Sequence, residues 1–215
     1  MSDWNILKEH LTPERCAKME KAASRRVKHI RLVVQDVHHP HNVSACMRSA
    51  EGLGILNVDV VNLSEPFKAS TVSRGVTGWL QVEKYPTVAA CAEALRSQGY
   101  AIAAALPDRN AVSLGALPVE KPVALLFGNE HEGVSEEWLP YLDYRFTIPM
   151  TGMAQSFNIS VSAAISMYDV LRRVQEMDPN GERCFLNEAE KLDLLSSWAH
   201  RQLDSADEIL KRARQ

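Results

Sequence analysis

This 215-residue sequence lacks most of the marks that assign a protein to a functional class at sight. There is no apolar run of about 18 residues, so no membrane-spanning helix is expected. The opening MSDWNILKEH has no apolar stretch of the kind a secretory leader needs. The four cysteines, Cys16, Cys46, Cys91 and Cys184, are far apart and form no CxxC pair. That argues against a disulfide framework or a zinc site, and for reduced thiols in a cytoplasmic protein. GxGxxG, GxxxxGK[ST] and GxSxG are all missing, which removes the dinucleotide fingerprint, the P-loop and the nucleophile elbow. Repeats and low-complexity tracts are absent. Overall positive charge is absent too: the net charge is −3, so the whole molecule is not a basic nucleic-acid binder.

What is present is a real core and an uneven charge. Hydrophobic residues make up 46% of the chain, enough for one α/β domain with helical additions. Residues 8–31 carry Lys8, Arg15, Lys18, Lys21, Arg25, Arg26, Lys28 and Arg31 against only Glu9, Glu14 and Glu20. Thr12 can cap a helix there, with Pro13 in its first turn. Cys16, Met19, Ala23 and Val27 form the apolar stripe of that helix, while Lys18, Lys21, Arg25 and Lys28 share another face. A contact to a polyanion and a solvated helix face fit this charge equally well.

Periodicity then alternates. Strands are expected at residues 31–35, 57–62, 81–84, 100–105, 123–127 and 143–148; the run VALLF at 123–127 reads as a central parallel strand. Helices are expected from Asn42 to the glycines at 52 and 54, within 71–79, over 88–98, after Ser135, and through the run ending at Arg173. In that last helix Ser162, Ser166 and Asp169 read as a polar stripe. Residues 177–186 read as a linker. One final helix should start near Asn187, with Glu190 as its capping-box partner and Leu192, Leu195, Ala199, Leu203, Ala206 and Leu210 as its stripe. The fold class is therefore α/β, a mostly parallel sheet with helices on both faces.

Three loops could carry chemistry. His38, His39, Pro40, His41 and Asn42 lead into a helix bearing Arg48. Locally, Asn42 is an N-cap and Arg48 a surface residue paired with Glu51. The histidines lack a carboxylate or thiolate at ligand spacing, so no metal is expected. The run Gly128, Asn129, Glu130, His131, Glu132, Gly133 follows a parallel strand, where such folds bind ligands; its local reading is an ordinary turn. In IPMTGMAQSFNIS, Ser156 and Asn158 can again both be caps, but the strand–turn–buried-helix setting leaves backbone groups open to a ligand.

In order, HNVSACMRSAEGLG, FGNEHEGVSEE and IPMTGMAQSFNISVSAA resemble the three motifs of the SpoU class of SPOUT methyltransferases, and the basic helix beginning TPER resembles its TrmH type. The resemblance covers roughly residues 12–173. It implies a deep trefoil knot made by residues of about 124–173 and an organisation into a basic helical arm (1–29), a methyltransferase domain (30–176) and a C-terminal linker and helix (177–215). It implies S-adenosyl-L-methionine as cofactor, held near Phe127, Gly128, Asn129, Glu130, Ile148, Met150, Ser156, Phe157 and Asn158, and a homodimer. Asn42, Arg48, Glu130, Ser156 and Asn158 match the catalytic motif positions. Lys18, Lys21, Arg25, Arg26, His41, Arg172 and Arg173 are the expected RNA contacts. Phe157 departs from the pattern, standing where leucine is usual, and the chain past 177 is divergent.

The implied reaction is in-line transfer of a methyl group to a ribose 2′-oxygen of RNA, with tRNA favoured and guanosine 18 of the D-loop the first choice by analogy. Ribosomal RNA or another tRNA ribose, a non-catalytic knotted RNA-binding protein, and a generic nucleotide-binding module are the alternatives. Arg48 is the family's candidate for managing the ribose proton. A guanidinium with a pKa above about 12 is a poor free base, so a bridge from Arg48 to the ribose and an RNA phosphate is the more physical expectation.

Overall fold

The computed structural model describes residues 2–37, 39–61, 74–108 and 110–214, with the backbone alone at Arg74. His38, the Asn62 end of the second expected strand and residues 71–73 of an expected helix lie outside them. Two compact units emerge: Lys28–Asn180, and a second made from both ends of the chain, Met1–Val27 with Gly181–Gln215.

The larger unit alternates strand and helix at first and then runs through four strands before its last helix: β1 Val27–Gln35, α3 Pro40–Gly52, β2 Ile55–Val61, α4 Arg74–Thr77, β3 Gln81–Tyr85, α5 Val88–Ser97, β4 Ala101–Ala105, β5 Val112–Ser113, β6 Val123–Phe127, β7 Tyr144–Thr147 and α6 Ile159–Met177. The sheet order is β3-β2-β1-β6-β4-β7-β5. The β2–β3, β1–β6, β4–β6, β4–β7 and β5–β7 ladders are parallel, as the α/β reading expects. The chain winds outward from β1 toward β3 on one side, while β6, β4, β7 and β5 fill the other. The order reverses between β1 and β6, and Val34 lies opposite Phe127. The loops leaving those two strands therefore start side by side at the switch point, where open parallel sheets hold ligands.

All five residues of β6 are buried, which is why VALLF carries no alternation. One core cluster gathers Val33, Val61, Ile102, Ala104, Ala124 and Leu126 of the sheet with Val88, Cys91, Ala92 and Leu95 of α5, and Trp138 joins it. Helix α6 packs on α3 and β6. A buried ion pair ties β1 to β2: Arg31 Nε donates to Asp59 Oδ2 at 2.8 Å and Nη2 to Oδ1 at 2.9 Å. Nη1 of Arg31 donates to Gln98 Oε1 at 2.7 Å, and its guanidinium lies over Tyr100 at 5.3 Å. Each of the three guanidinium nitrogens donates to an oxygen, which is what makes a buried cation tolerable.

The smaller unit contains α1 Asp3–Leu7, α2 Pro13–Ala23, α7 Glu188–Gln202 and α8 Ala206–Ala213. α2 starts as read, with Thr12 Oγ1 accepting from Arg15 N at 3.2 Å and Pro13 at the first position. α7 starts as read too, through a reciprocal Asn187–Glu190 capping box. The two chain ends are stitched together within this unit. Trp4 N donates to Ser196 Oγ at 2.9 Å, Leu186 N donates to Arg26 O at 3.1 Å, and Arg214 pairs with Asp3 at 2.6 Å.

Several local readings change. The final helix is two, α7 and α8, broken at Leu203, whose backbone is extended. Residues 177–186 are not a bare linker, since Cys184 and Leu186 are buried and Phe185 bridges to Val27. The turn after Ser135 is a 3-10 helix with no side-chain cap; Pro140 within it removes a backbone donor. Ser166 is fully buried, so it does not belong to a polar stripe. The short elements α1 and β5 fall below the length at which periodicity is readable.

Candidate active site

The first loop turns sharply after β1. Asp36 has φ 45°, the one non-glycine residue at positive φ among those described, and its N–H donates to Val61 O at 2.9 Å. α3 then begins at Pro40, with His39 in the cap position. Asn42 is thus the third helical residue and not the cap. That frees its side chain for a distant partner: Asn42 Nδ2 donates to Glu130 Oε1 at 2.6 Å.

The second loop is a closed turn. Asn129 Oδ1 accepts from His131 N at 2.8 Å and Glu132 N at 2.6 Å, and Asn129 and Gly133 exchange backbone bonds at 3.0 and 3.2 Å. A Cβ on Gly128 would lie 1.9 Å from Gly133 O, so only glycine lets the turn close. Ser135 N donates to Gln35 Oε1 at 3.0 Å, which anchors the far end of the loop. The half-buried Glu130 sits at the apex of this turn.

The third loop ends in a true cap, and it is Asn158 alone. Its Oδ1 accepts from Ser160 N at 2.9 Å and Ser160 Oγ at 2.7 Å. Its Nδ2 donates to Asn42 Oδ1 at 3.2 Å. One amide side chain, that of Asn42, therefore joins all three loops: it donates to Glu130 and accepts from Asn158.

Beside this junction lies an open cleft at the carboxyl ends of β4 and β7. Ala105, Leu106 and Pro107 form one wall, Phe146, Thr147 and Ile148 a second, and Met150, Gln155, Ser156, Phe157 and Ser162 a third. The walls are mostly apolar, with a few hydroxyl and amide groups. Leu106 N donates to Phe146 O at 3.0 Å and Arg145 Nη1 reaches Asp108 Oδ2 at 3.3 Å, which holds the first two walls together. Of the expected cofactor residues, Ile148, Met150, Ser156 and Phe157 line the cleft. Phe127, Gly128, Asn129, Glu130 and Asn158 build the adjoining loops. The wall from Ala105 to Pro107 and residues Phe146, Thr147, Gln155 and Ser162 were missed. Ala105, Leu106, Phe146 and Thr147 stand at or next to strand carboxyl ends, the one signal in the sequence that points to them; nothing marks Gln155 or Ser162.

Arg48 is exposed on α3 and has no hydrogen bond or ion pair to any described residue, so the expected Glu51 pairing is absent. The nearby Cys46 thiol is no rival nucleophile. Burial, with the charge of Glu130 adding to it, pushes its pKa up to about 12.

The expected RNA contacts divide. Lys18, Lys21 and Arg25 are exposed on or just after α2, and His41 is exposed near the start of α3. Arg172 is exposed and pairs with Glu176 one turn on. Arg26 and Arg173 are placed otherwise. Arg26 is only 2% exposed, its guanidinium 5.1 Å from the Trp198 ring. Arg173 donates to Leu117 O at 2.5 Å, Leu114 O at 3.0 Å and Asp169 Oδ2 at 2.9 Å, so its fork braces the 3-10 turn Leu114–Ala116 against α6. A cation committed this way has little left for a phosphate. Among the described residues no helix is long and apolar enough to cross a membrane.

Comparison with known proteins agrees with this geometry. The SpoU rRNA Methylase family matches residues 29–168. A tRNA (guanosine(18)-2′-O)-methyltransferase of Borreliella burgdorferi is 33% identical over 88% of this chain and 86% of its own length. The enzyme of the same name from Escherichia coli K12 is 32% identical over 86% of this chain and 82% of its own length. Among solved structures, the A. aeolicus TrmH/SpoU tRNA modifying enzyme superposes with a TM-score of 0.80 at 28% identity, covering 88% of this chain and 97% of that one. The chain belongs to the SpoU methylase family.

Proposed function

We propose that the protein transfers a methyl group from S-adenosyl-L-methionine to the 2′-oxygen of a ribose in tRNA, with guanosine 18 of the D-loop as the target. The observation that carries the reading is the Asn42 junction, which brings the three motif loops together next to the cleft. Relatives of that named activity, aligned over most of their length, support the substrate.

The cleft fits the cofactor. Apolar walls at Leu106, Phe146, Ile148 and Phe157 suit a purine face, and Gln155, Ser156 and Ser162 can bond its polar edges. The glycine at 128 lets the second loop close on its own Gly133–Val134 backbone. When bound, S-adenosyl-L-methionine supplies an electrophilic methyl group on a sulfonium. The residues of this chain do the rest. Glu130 orients Asn42, Asn42 fixes Asn158, and the three loops keep their relative positions while the ribose is aligned. Arg48, with no internal partner among the described residues, bridges the target ribose and a phosphate. It stabilises the oxygen as its proton passes to solvent water and the neutral thioether leaves, without acting as a free base. Lys18, Lys21 and Arg25 hold RNA through phosphates.

The functional unit in this reading is a homodimer. Val161 and Tyr168, seven residues apart on one face of α6, are 44% and 61% exposed, and Phe157 beside the cleft is 39% exposed. A second copy of the chain would cover this apolar stripe. The trefoil knot around residues 124–173 is part of the same reading. It is supported by family membership and by α6 packing on both β6 and the Leu114–Ala116 turn. A tRNA substrate and reduced thiols together favour the cytoplasm.

Incubation of an unmodified tRNA transcript with labelled cofactor, followed by mass mapping, tests the proposal. One 2′-O-methylguanosine at position 18 is the expected product. Label appearing only in ribosomal RNA, or at another tRNA ribose, would move the substrate; no transfer to either RNA would overturn the reading.

A further inference from the structure

Gln35 lies outside the three motifs, yet it closes a ring around the site. It is the last residue of β1 and is 2% exposed. Two paths run from it to the Asn42–Glu130 hydrogen bond. One goes along the chain, through the positive-φ turn at Asp36 and the start of α3, to Asn42. The other goes through space, from Gln35 Oε1 to Ser135 N at 3.0 Å and back along the closed turn to Glu130. The two paths meet where Asn42 Nδ2 reaches Glu130 Oε1 at 2.6 Å. The near end of the turn is fixed by the tight Gly128–Gly133 approach and by the Asn129 side chain. The Gln35 bond ties its far end to the strand that launches the first loop. A short bond between two side chains on separate loops tolerates little drift, since hydrogen bonds weaken steeply with distance and angle.

We propose that Gln35 is a positioning residue for methyl transfer: by anchoring Ser135 it sets the separation of Asn42 and Glu130. The inference rests on the methyltransferase reading for its kinetic effect but not for its structural one. Ser135 offers an independent way to cut the same bond. Its φ of −65° is the value proline imposes, so Ser135→Pro deletes the donor without forcing the backbone at that residue.

The experiment compares wild type, Gln35→Met, Gln35→Glu and Ser135→Pro. Methionine keeps the length of the side chain and loses the acceptor; glutamate keeps an acceptor oxygen. Three quantities are read: kcat and KM for tRNA, the thermal midpoint, and the resonance of the Asn42 side-chain amide, which does not depend on turnover. Gln35→Met and Ser135→Pro should both lower kcat by about tenfold or more with KM within about twofold, because small misplacements near reacting groups are costly. The thermal midpoint should fall by only about 2–4 °C, the effect of one lost hydrogen bond in a chain of this size. Both should shift the Asn42 amide, and Gln35→Glu should restore kcat and shift alike. An unmoved Asn42 amide in Gln35→Met or Ser135→Pro would overturn the proposal, as would wild-type kcat in either variant or equal losses in Gln35→Met and Gln35→Glu. A wild type that transfers no methyl group would instead refute the function, and the amide shift would still decide the role of Gln35.

Discussion

The two units of this chain handle polar side chains in opposite ways. In Lys28–Asn180 polar groups are turned toward one another: Glu130, Asn42 and Asn158 form a bonded series, and Arg31 is wrapped by Asp59 and Gln98. In the unit built from the two chain ends, Lys18, Lys21 and Arg25 point into solvent, while buried groups such as Arg26 and Trp198 hold the helices together. The difference separates two physical tasks. Aligning reacting atoms needs groups that cannot move, so they bond each other. Gripping a polyanion needs charge that is not already spent. Arg48 is the exception: it belongs to the larger unit, yet among the described residues its donors have no partner, which is what the proposed ribose contact requires.

The sharpest way to break the contrast is to remove charge from inside the rigid unit. Asp59→Ala should destabilise the protein by about 3–5 kcal/mol, because it leaves Arg31 buried without its carboxylate. Denaturant unfolding would read this; a loss under about 1 kcal/mol would mean the pair is not buried in solution. Next comes Arg48→Ala, expected to lower kcat by about 10²–10³ while leaving S-adenosylhomocysteine affinity and the thermal midpoint unchanged. Single-turnover methyl transfer alongside calorimetry separates the two effects, and near-normal turnover would remove Arg48 from the mechanism.

On the other side of the comparison, a Lys18→Ala, Lys21→Ala, Arg25→Ala triple variant should bind tRNA more weakly at all sequences and show a log–log salt slope shallower by about two to three. Cofactor affinity should not change. An unchanged slope would place the RNA elsewhere. The smallest expected effect again concerns the rigid unit. Ser166 Oγ is buried and has no hydrogen-bond partner among the described residues, so Ser166→Ala should stabilise by about 1 kcal/mol, seen as a raised urea midpoint. A stability loss would mean that the hydroxyl bonds a group or water in solution.

Much of this contrast was legible in the sequence. The α/β class followed from alternating periods, and VALLF and the Asn187–Glu190 box announced themselves through local chemistry. The motif order located the site. What the sequence could not tell was where each polar side chain spends its hydrogen bonds. Asn42, Ser156 and Asn158 all look like caps, because capping is the commonest local use of those side chains. Only Asn158 is one, and Asn42 turned out to be the long-range junction. Arg26 and Arg173 look like their neighbours Arg25 and Arg172 in the sequence: on α6 one residue of helical rotation turns Arg173 inward, whereas Arg26 follows the end of α2 and is buried against Trp198. The Leu106–Pro107 wall carries only a weak signal, its place after a strand: its apolar residues form no motif, and it is the strand order that brings them to β7.

In the proposed function the loops after β4, β6 and β7 surround one cofactor site at the carboxyl end of the sheet. Amide hydrogen exchange with and without saturating S-adenosylhomocysteine tests it most directly. A cofactor bound there slows exchange in peptides covering 105–108, 128–134 and 146–158, with α2 and α7 unchanged. Protection confined to the terminal unit, or none at saturation, would contradict it.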